Sequence, residues 1–336
     1  TTTSMLSHIF LKAGLDPTIS IGGELPAIGG NIRVGKSDYF ICEACEYHQS
    51  FLRFFPFVSI ILNVEEDHLD YFKNLDHIIE TFKGLTLITP PEGAVIINAD
   101  DKNTLRATEN VNRRFISFSV TNNADYTAKN VEINEDGTAA FDAYEEGKFL
   151  IRINLAVPGS HNISNALAAT AASRFLDISP QAIAEGLCSF SGVGRRFEHK
   201  GTKNGIVVVD DYAHHPTEIK ATLNVAKSVV NGNVWCVFQP HTYTSTSTLF
   251  SDFVEALDCG IKPLILDIYA AREKDTGLVS SKQLADAVDS SIYIPSFYDC
   301  VEYLKDNAKP GDMILTMGAG DVYKVGENFL NSSDNG

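Results

Sequence analysis

The sequence predicts an α/β protein of two domains. The first is expected to carry a mostly parallel sheet plus a small antiparallel sheet, and the second a Rossmann-like α/β layer structure. Three observations predict this. The 336 residues are enough for two cores. Short apolar runs alternate with amphipathic stretches along most of the chain, the rhythm of strands joined by helices. A glycine-punctuated break, "SFSGVGRRFE", interrupts that rhythm, which then restarts. The division is therefore placed at 1–193 and 194–336.

The chain opens "TTTSMLSHIF", where threonines run into an apolar-periodic stretch, a helix-start signature. Threonines at a helix start also end phosphate-binding loops, in which glycines and a lysine come before them. "DYFICEAC", "FVSIILNV" and "GAVIINAD" read as buried strands. The more polar stretch from "FISFSV" to "FLIRINLAV" alternates and carries the turn signals "EDG" and "EEGK", so it reads as antiparallel strands. "PGSHNISNALAATAASRFL" then becomes an Ala-rich helix that Ser160 or Asn162 would cap. Past the break, "GIVVVDDYAHHPTEIKATLNVAKSVV", "VWCVFQPHTYTSTSTLFSDFVEAL", "KPLILDIYAAREKDTG" and "DMILTMGAGDVYKVGENFL" each read as strand followed by helix.

Composition narrows the function. A net charge of -16 argues against a nucleic-acid binder, which needs a basic face. An anionic small substrate stays open, because a few arginines and a bound cation can make one cleft locally positive. No run of about 18 apolar residues suggests a membrane span. Six scattered cysteines, mostly in apolar surroundings, read as reduced core thiols of a cytoplasmic protein. Cys42 and Cys45 form a lone C-x-x-C, without the second pair or spaced histidines that a zinc site needs.

In open parallel sheets, ligands bind beyond the carboxyl ends of the strands. The unusual polar residues fall there: Glu43, His68, Asn98 and Asp100 in the first half, and Asp210, Asp211, His241, Asp267 and Arg272 in the second. "NVEEDHLDYF" empties an apolar strand into Glu65, Glu66, Asp67, His68 and Asp70, which is either a solvated acidic loop or a cation site. Glu43, ending the preceding strand, favours the cation site, and the oxygen-rich set suits Mg²⁺. "VVVDDYAHHPTE" traps Asp210, Asp211, Tyr212, His214 and His215 at a strand-to-helix crest before Pro216, which suits a first helical turn. Arg195 and Arg196 at the break are either an exposed pair or a bidentate phosphate ligand. His161, Asn162 and Asn165 stand at a helix start, where amides cap the helix or meet a nucleobase edge.

Taken in order, "TTTSM", "EACE", "NVEEDHLDYF", "GSHNISNA", "GVGRRFE", "DDYAHHPTE", "FQPHTYT", "REKDTG" and "GAGDVYKVGE" resemble the Mur ligases, the ATP-dependent amide-forming enzymes of peptidoglycan synthesis. The resemblance implies that 1–193 is the central ATP-binding domain and 194–336 the C-terminal domain. It implies ATP and Mg²⁺ as cofactors, with Glu43 and His68 as metal ligands. Thr1, Thr2 and Thr3 would be the tail of the phosphate-binding loop. His161, Asn162, Asn165, Asp211 and Tyr212 would face the nucleotide, and Arg196 would reach its phosphates. Asp211 or His214 would take the proton from the attacking amine, with His215 on the same side of the cleft. The glycines of "IGGELPAIGGN" would adjoin a UDP-muramoyl substrate. Lys83 falls where several members carry a carbamylated lysine, and also reads as a helix-surface lysine.

Tyr212 and Phe197 favour the branch that joins L-alanine to UDP-N-acetylmuramate over the branch that recycles murein peptides. Neither nucleic acid nor membrane insertion is implied. Two departures stand out. The family has the loop's glycines, its lysine and a UDP-binding domain upstream of the position matched by Thr1, so the resemblance implies an inactive two-domain piece. Ser245 and Ser247 stand where relatives carry basic residues. A non-catalytic remnant is the reading these departures favour.

Overall fold

The structure is a computed structural model that describes residues 1–69, 71–275 and 277–332. Asp70 of the acidic run and Thr276 of "REKDTG" lie outside the described residues. The chain divides into two compact units, Thr1–Gly194 and Arg195–Gly336.

The first unit begins with α1 (Thr2–Lys12), which buries Met5, Ile9 and Phe10. Next come β1 (Thr18–Leu25), a 3₁₀ turn over Pro26–Ile28, β2 (Gly30–Arg33) and the short β3 (Phe40–Cys42). These make a separate sheet in the order β2-β1-β3, antiparallel on one side of β1 and parallel on the other. The glycine-rich "IGGELPAIGGN" is thus largely a hairpin. "DYFICEAC" supplies three strand residues only, so Cys45 lies beyond the strand.

β4 (Val58–Ile61), α2 (Leu75–Ile88), β5 (Ala94–Asn98), α3 (Lys102–Thr108), β6 (Phe115–Ser119), β7 (Tyr126–Ile133), β8 (Thr138–Glu145) and β9 (Lys148–Pro158) follow. They form one sheet in sequence order, parallel from β4 to β7 and antiparallel from β7 to β9. The antiparallel strands therefore continue the parallel sheet. Two helices close the unit, α4 (His161–Phe175) and α5 (Pro180–Cys188). Ala166, Ala168, Ala169, Ala171 and Ala172 of α4 are all buried, and their small side chains let the helix backbone lie close to its neighbours. Gly186 of α5 serves the same end against α1, since a Cβ there would stand 2.5 Å from the Ile9 Cα.

The second unit runs β10 (Glu198–Lys203), β11 (Ile206–Asp211), α6 (Pro216–Val229), β12 (Val234–Phe238), α7 (Tyr243–Thr248) and α8 (Phe250–Leu257). It ends with β13 (Lys262–Ile265), α9 (Ser281–Ala287), β14 (Ile292–Tyr293), α10 (Phe297–Asn307), β15 (Met313–Met317) and α11 (Tyr323–Asn331). The sheet order is β10-β11-β15-β12-β13-β14, with β10 antiparallel and the remaining pairs parallel. Val209, Cys236 and Leu315 enter one core while Val208, Val237 and Ile314 enter the other. Burial on both faces is why these strands read as unbroken apolar runs rather than alternating ones. The carboxyl ends of β11, β15, β12 and β13 share one edge, which carries the polar residues.

Cys236 and Cys300 are buried thiols, but Cys45 and Cys188 are exposed, so the expectation of core thiols holds only in part. All six cysteines are free. No described helix is long and apolar enough to cross a membrane.

Candidate functional site

Each unit gathers its own cluster at a strand-end edge. In the first, the Glu43 amide extends the β1–β3 pairing by donating to the Ser20 carbonyl, and the Glu43 carboxylate accepts from the Gly22 amide at 3.0 Å. The following 3₁₀ segment is bent at His48 and Gln49, both at positive φ, and Glu46 is the residue that caps its start. Glu46 Oε1 lies 3.3 Å from His68 Nε2, and Asp67 Oδ1 lies 3.8 Å from His68 Nδ1. The ligand atoms of Glu46, Asp67 and His68 all fall within 4.8 Å of one another. Glu43 was expected at His68. The carboxylates gathered there are those of Glu46 and Asp67, while Glu43 is engaged at Gly22.

The threonine segment and the Ala-rich helix start are joined by side chains. Thr2 Oγ1 donates to Asn165 Oδ1 at 2.9 Å, Asn165 Nδ2 to Asn162 Oδ1 at 3.1 Å, and Asn162 Nδ2 to the Pro158 carbonyl at 2.7 Å. Ser160 occupies the N-cap position without a side-chain bond, so these amides order the turn instead. Thr1 and Thr3 contribute carbonyls, accepting from the Met5 amide and the Ser7 hydroxyl. His161 is the exposed first residue of the helix.

Asn98 and Asp100 have a structural assignment. Asn98 Nδ2 bonds the Leu62 carbonyl, while Asp100 accepts from Ser119, Thr121, Asn122 and the Val120 amide. Burial works against the Asp100 charge, but these donors outweigh it and hold the carboxyl below its ordinary pKa. Lys83 lies within α2 and is half-buried.

The second cluster is built on β11. Asp210 is 1% exposed; its carboxylate takes Arg195 Nε at 2.9 Å and the Thr316 hydroxyl at 2.6 Å. Asp211 is buried too, and accepts from the Phe197 amide at 2.7 Å and the Ala213 amide at 2.8 Å. Burial pushes its carboxyl up to about 6, against the pull of those amides and of Arg196. Asp211 therefore bolts the arginine turn to the crest.

His215 is the N-cap of α6 in a reciprocal capping box with Glu218, which explains one histidine of the pair as architecture. His214 is different. Its Nδ1 lies 3.1 Å from the Tyr212 carbonyl and 3.4 Å from Glu218 Oε2. Two acceptors at Nδ1 favour the tautomer with hydrogen there and leave the lone pair on Nε2. Glu218 Oε1 also pairs with Arg196 at 3.1 Å, and the Arg196 side chain is 41% exposed. Burial opposes the Glu218 charge, but His214 and Arg196 overcome it and lower the pKa. Rings continue along the edge: Tyr212, His214, His241 and Tyr269 lie in successive contact, the last pair stacked at 5.8 Å between centroids. Asp267 accepts from the Tyr293 hydroxyl at 2.6 Å. Ser245 sits in the first turn of α7, its amide capped by Thr242 Oγ1.

Sequence reasoning missed Glu46, Glu218 and Tyr269. Glu218 carried a signal, standing three residues beyond His215 at the capping-box spacing.

A two-unit α/β chain with these strand-end clusters matches known family models: the Mur ligase middle domain over residues 1–173 and the Mur ligase glutamate ligase domain over residues 195–320. The chain belongs to the Mur ligase family. Among its relatives, a protein of Clostridium acetobutylicum named UDP-N-acetylmuramate–L-alanine ligase is 53% identical over 98% of this chain and 73% of its own length. One of the same name from Clostridium perfringens is 51% identical over the same shares. Among solved structures, the UDP-N-acetylmuramate–alanine ligase MurC of Thermotoga maritima superposes with a TM-score of 0.80 at 26% identity, over 98% of this chain and 71% of its own. A murein peptide ligase of Psychrobacter arcticus gives 0.72 at 27% identity, over 99% and 76%.

Proposed function

We propose that this chain performs the ATP-dependent joining of L-alanine to the lactyl carboxylate of UDP-N-acetylmuramate, in peptidoglycan synthesis. The observation that carries the reading is Glu218 holding Arg196 and His214 at the end of β11, because ligation needs a cation for phosphate and a base for the amine. ATP dependence and six free thiols support a cytoplasmic setting.

The substrate carboxylate oxygen attacks the γ-phosphorus, forming a C–O–P link and breaking the bond to ADP. The alanine amine then attacks the acyl carbon, and inorganic phosphate leaves. Phosphoryl transfer asks the protein for position and charge neutralisation more than for covalent chemistry. Arg196 answers that demand from an exposed position, exchanging its pairing with Glu218 for a phosphate oxygen. The amine must lose a proton to become an amide nitrogen. His214 Nε2 is the better acceptor, because both Asp211 oxygens are occupied by amides. Thr2, Asn162 and Asn165 preorganise the nucleotide side of the first unit.

The donor set of Glu46, Asp67 and His68, two carboxylates and an imidazole, fits a divalent cation that keeps several waters. Glu46, Asp67 and His68 would hold such a cation, Mg²⁺ by the family resemblance, and it would supply charge neutralisation for the phosphates.

The test is phosphate release from ATP with UDP-N-acetylmuramate, comparing L-alanine with a murein tripeptide. It is run on residues 1–336 and on the natural protein with any residues that precede Thr1. Alanine-dependent release in the longer form supports the reading. Tripeptide preference would transfer the chain to the recycling branch, and no release in either would leave a non-catalytic protein.

A further inference from the structure

Arg195 and Arg196 are adjacent, and sequence offers both for phosphate. The geometry separates them. Arg195 Nε donates to the buried Asp210 carboxylate at 2.9 Å, Nη2 to the Gly318 carbonyl at 2.7 Å and Nη1 to the Gly320 carbonyl at 3.1 Å. Its guanidinium carbon lies 4.9 Å from the Tyr212 ring centroid and 5.0 Å from that of Tyr323. Its backbone is spent as well: the carbonyl accepts from the Tyr212 amide at 2.8 Å, and the amide donates to the Glu198 carboxylate at 2.7 Å.

The loop it grips is tight. Gly318 has φ +147, and a Cβ on it would stand 2.6 Å from the Gln239 carbonyl oxygen. A Cβ on Gly320 would stand 2.4 Å from Gln239 Oε1. Gln239 fastens the same loop from the other side, accepting from the Val322 amide and donating to Asp321. The 318–323 segment is thus clamped between a glutamine and a guanidinium fork. The same fork lies against Tyr212 of the crest as well as Tyr323 of the loop.

We infer that Arg195 is a positioning residue, a latch that fixes the Tyr212 ring to the 318–323 loop, and that it is not a phosphate ligand. This rests on the reading that Tyr212 faces the nucleotide. Three separate nitrogens of one plane meet Asp210, Gly318 and Gly320 while that plane lies against the Tyr212 ring. A lysine carries its donors on a single tetrahedral atom with no plane to lay on the ring, so it keeps the charge beside Asp210 and loses the latch. That makes Arg195→Lys the informative variant, because Asp210 is not left as an unpaired buried charge.

The experiment uses the full natural chain and measures ATP affinity by calorimetry in a double-mutant cycle of Arg195→Lys and Tyr212→Leu. Arg195→Lys is expected to weaken ATP binding by roughly tenfold, and to change it less than about twofold once Tyr212 is leucine. Fluorotyrosine placed at 212 reads the latch without nucleotide, and its ¹⁹F resonance is expected to shift in Arg195→Lys. Additive effects, full retention of affinity in Arg195→Lys, or an unmoved resonance would overturn the inference. If the resonance moves while Tyr212→Leu alone leaves ATP affinity unchanged, the nucleotide reading of Tyr212 is the part that fails. The inferred role falls with it.

Discussion

Glu218 Oε2 lies 3.4 Å from His214 Nδ1, while Oε1 of the same carboxylate holds Arg196 at 3.1 Å. One side chain in the first turn of α6 thereby orients the proposed base and restrains the proposed phosphate ligand. It also closes the capping box with His215. In the proposed reaction, the helix start that serves as architecture carries the chemistry too.

That pairing sets a pH dependence. Glu218 titrates below its ordinary value in the folded chain, so the stability it contributes is complete above the unfolded pKa, near 4.5, and is lost as pH falls below it. Glu218→Gln should flatten the acid side of the stability curve. Urea unfolding at pH 5.5 and 3.5 checks this, and an unchanged difference between the two would contradict it.

Asp211 has the opposite sign. Its folded pKa, about 6, stands above the unfolded value, so the native chain binds the proton more tightly. Its contribution is fully present below about pH 4 and disappears as pH rises through 6. The span is about two units, or on the order of 3 kcal/mol. Asp211→Asn loses an acceptor for the Phe197 amide and starts from lower stability, yet its stability should vary less between pH 4 and 7. The slope, rather than the absolute value, is the test.

Much of this was legible in the sequence, for a physical reason. A strand buried on both faces must be apolar throughout, so the acids and imidazoles at the ends of β4, β5 and β11 stand out against Val, Ile and Leu. Glu46 did not stand out. It meets His68 across 22 residues of chain, and His68 itself sits at positive φ, a tertiary approach that no periodicity encodes. β1 and β2 were hidden by their glycines, which read as loop. His215, placed by sequence on the same side of the cleft as His214, has an architectural role as the cap of α6 as well. Asn98 and Asp100 did stand at the strand end as expected, but their partners are backbone, hydroxyl and amide groups at and just past the ends of β4 and β6.

The cation site can be resolved between Glu43 and Glu46. With Mn²⁺ as the probe, His68→Ala and Glu46→Gln should each weaken binding at least tenfold, as loss of one ligand in a small carboxylate–imidazole set does. Glu43→Gln should weaken it less, because its carboxylate is engaged by the Gly22 amide. Electron paramagnetic resonance of free Mn²⁺ measures all three. A Glu43 variant more damaging than the Glu46 one would return the metal to the pair expected from sequence.

Arg196 and Gly186 mark the two extremes of what a single substitution can report. Arg196 pairs with Glu218 at a half-exposed position, and such pairs contribute about 0–1 kcal/mol. Arg196→Ala should therefore leave the unfolding midpoint nearly unchanged while lowering kcat by roughly 10²–10³, the scale for removing a group that stabilises developing charge. Gly186→Ala, whose new Cβ would stand 2.5 Å from the Ile9 Cα, should do the reverse. It forces α5 away from α1 and should destabilise by about 1–3 kcal/mol. That strain would also disturb Thr2 and its bond to Asn165, so ATP affinity should fall in parallel with stability. Arg196→Ala with a large loss of stability, or Gly186→Ala with none, would show that the packing and the chemistry have been assigned to the wrong residues.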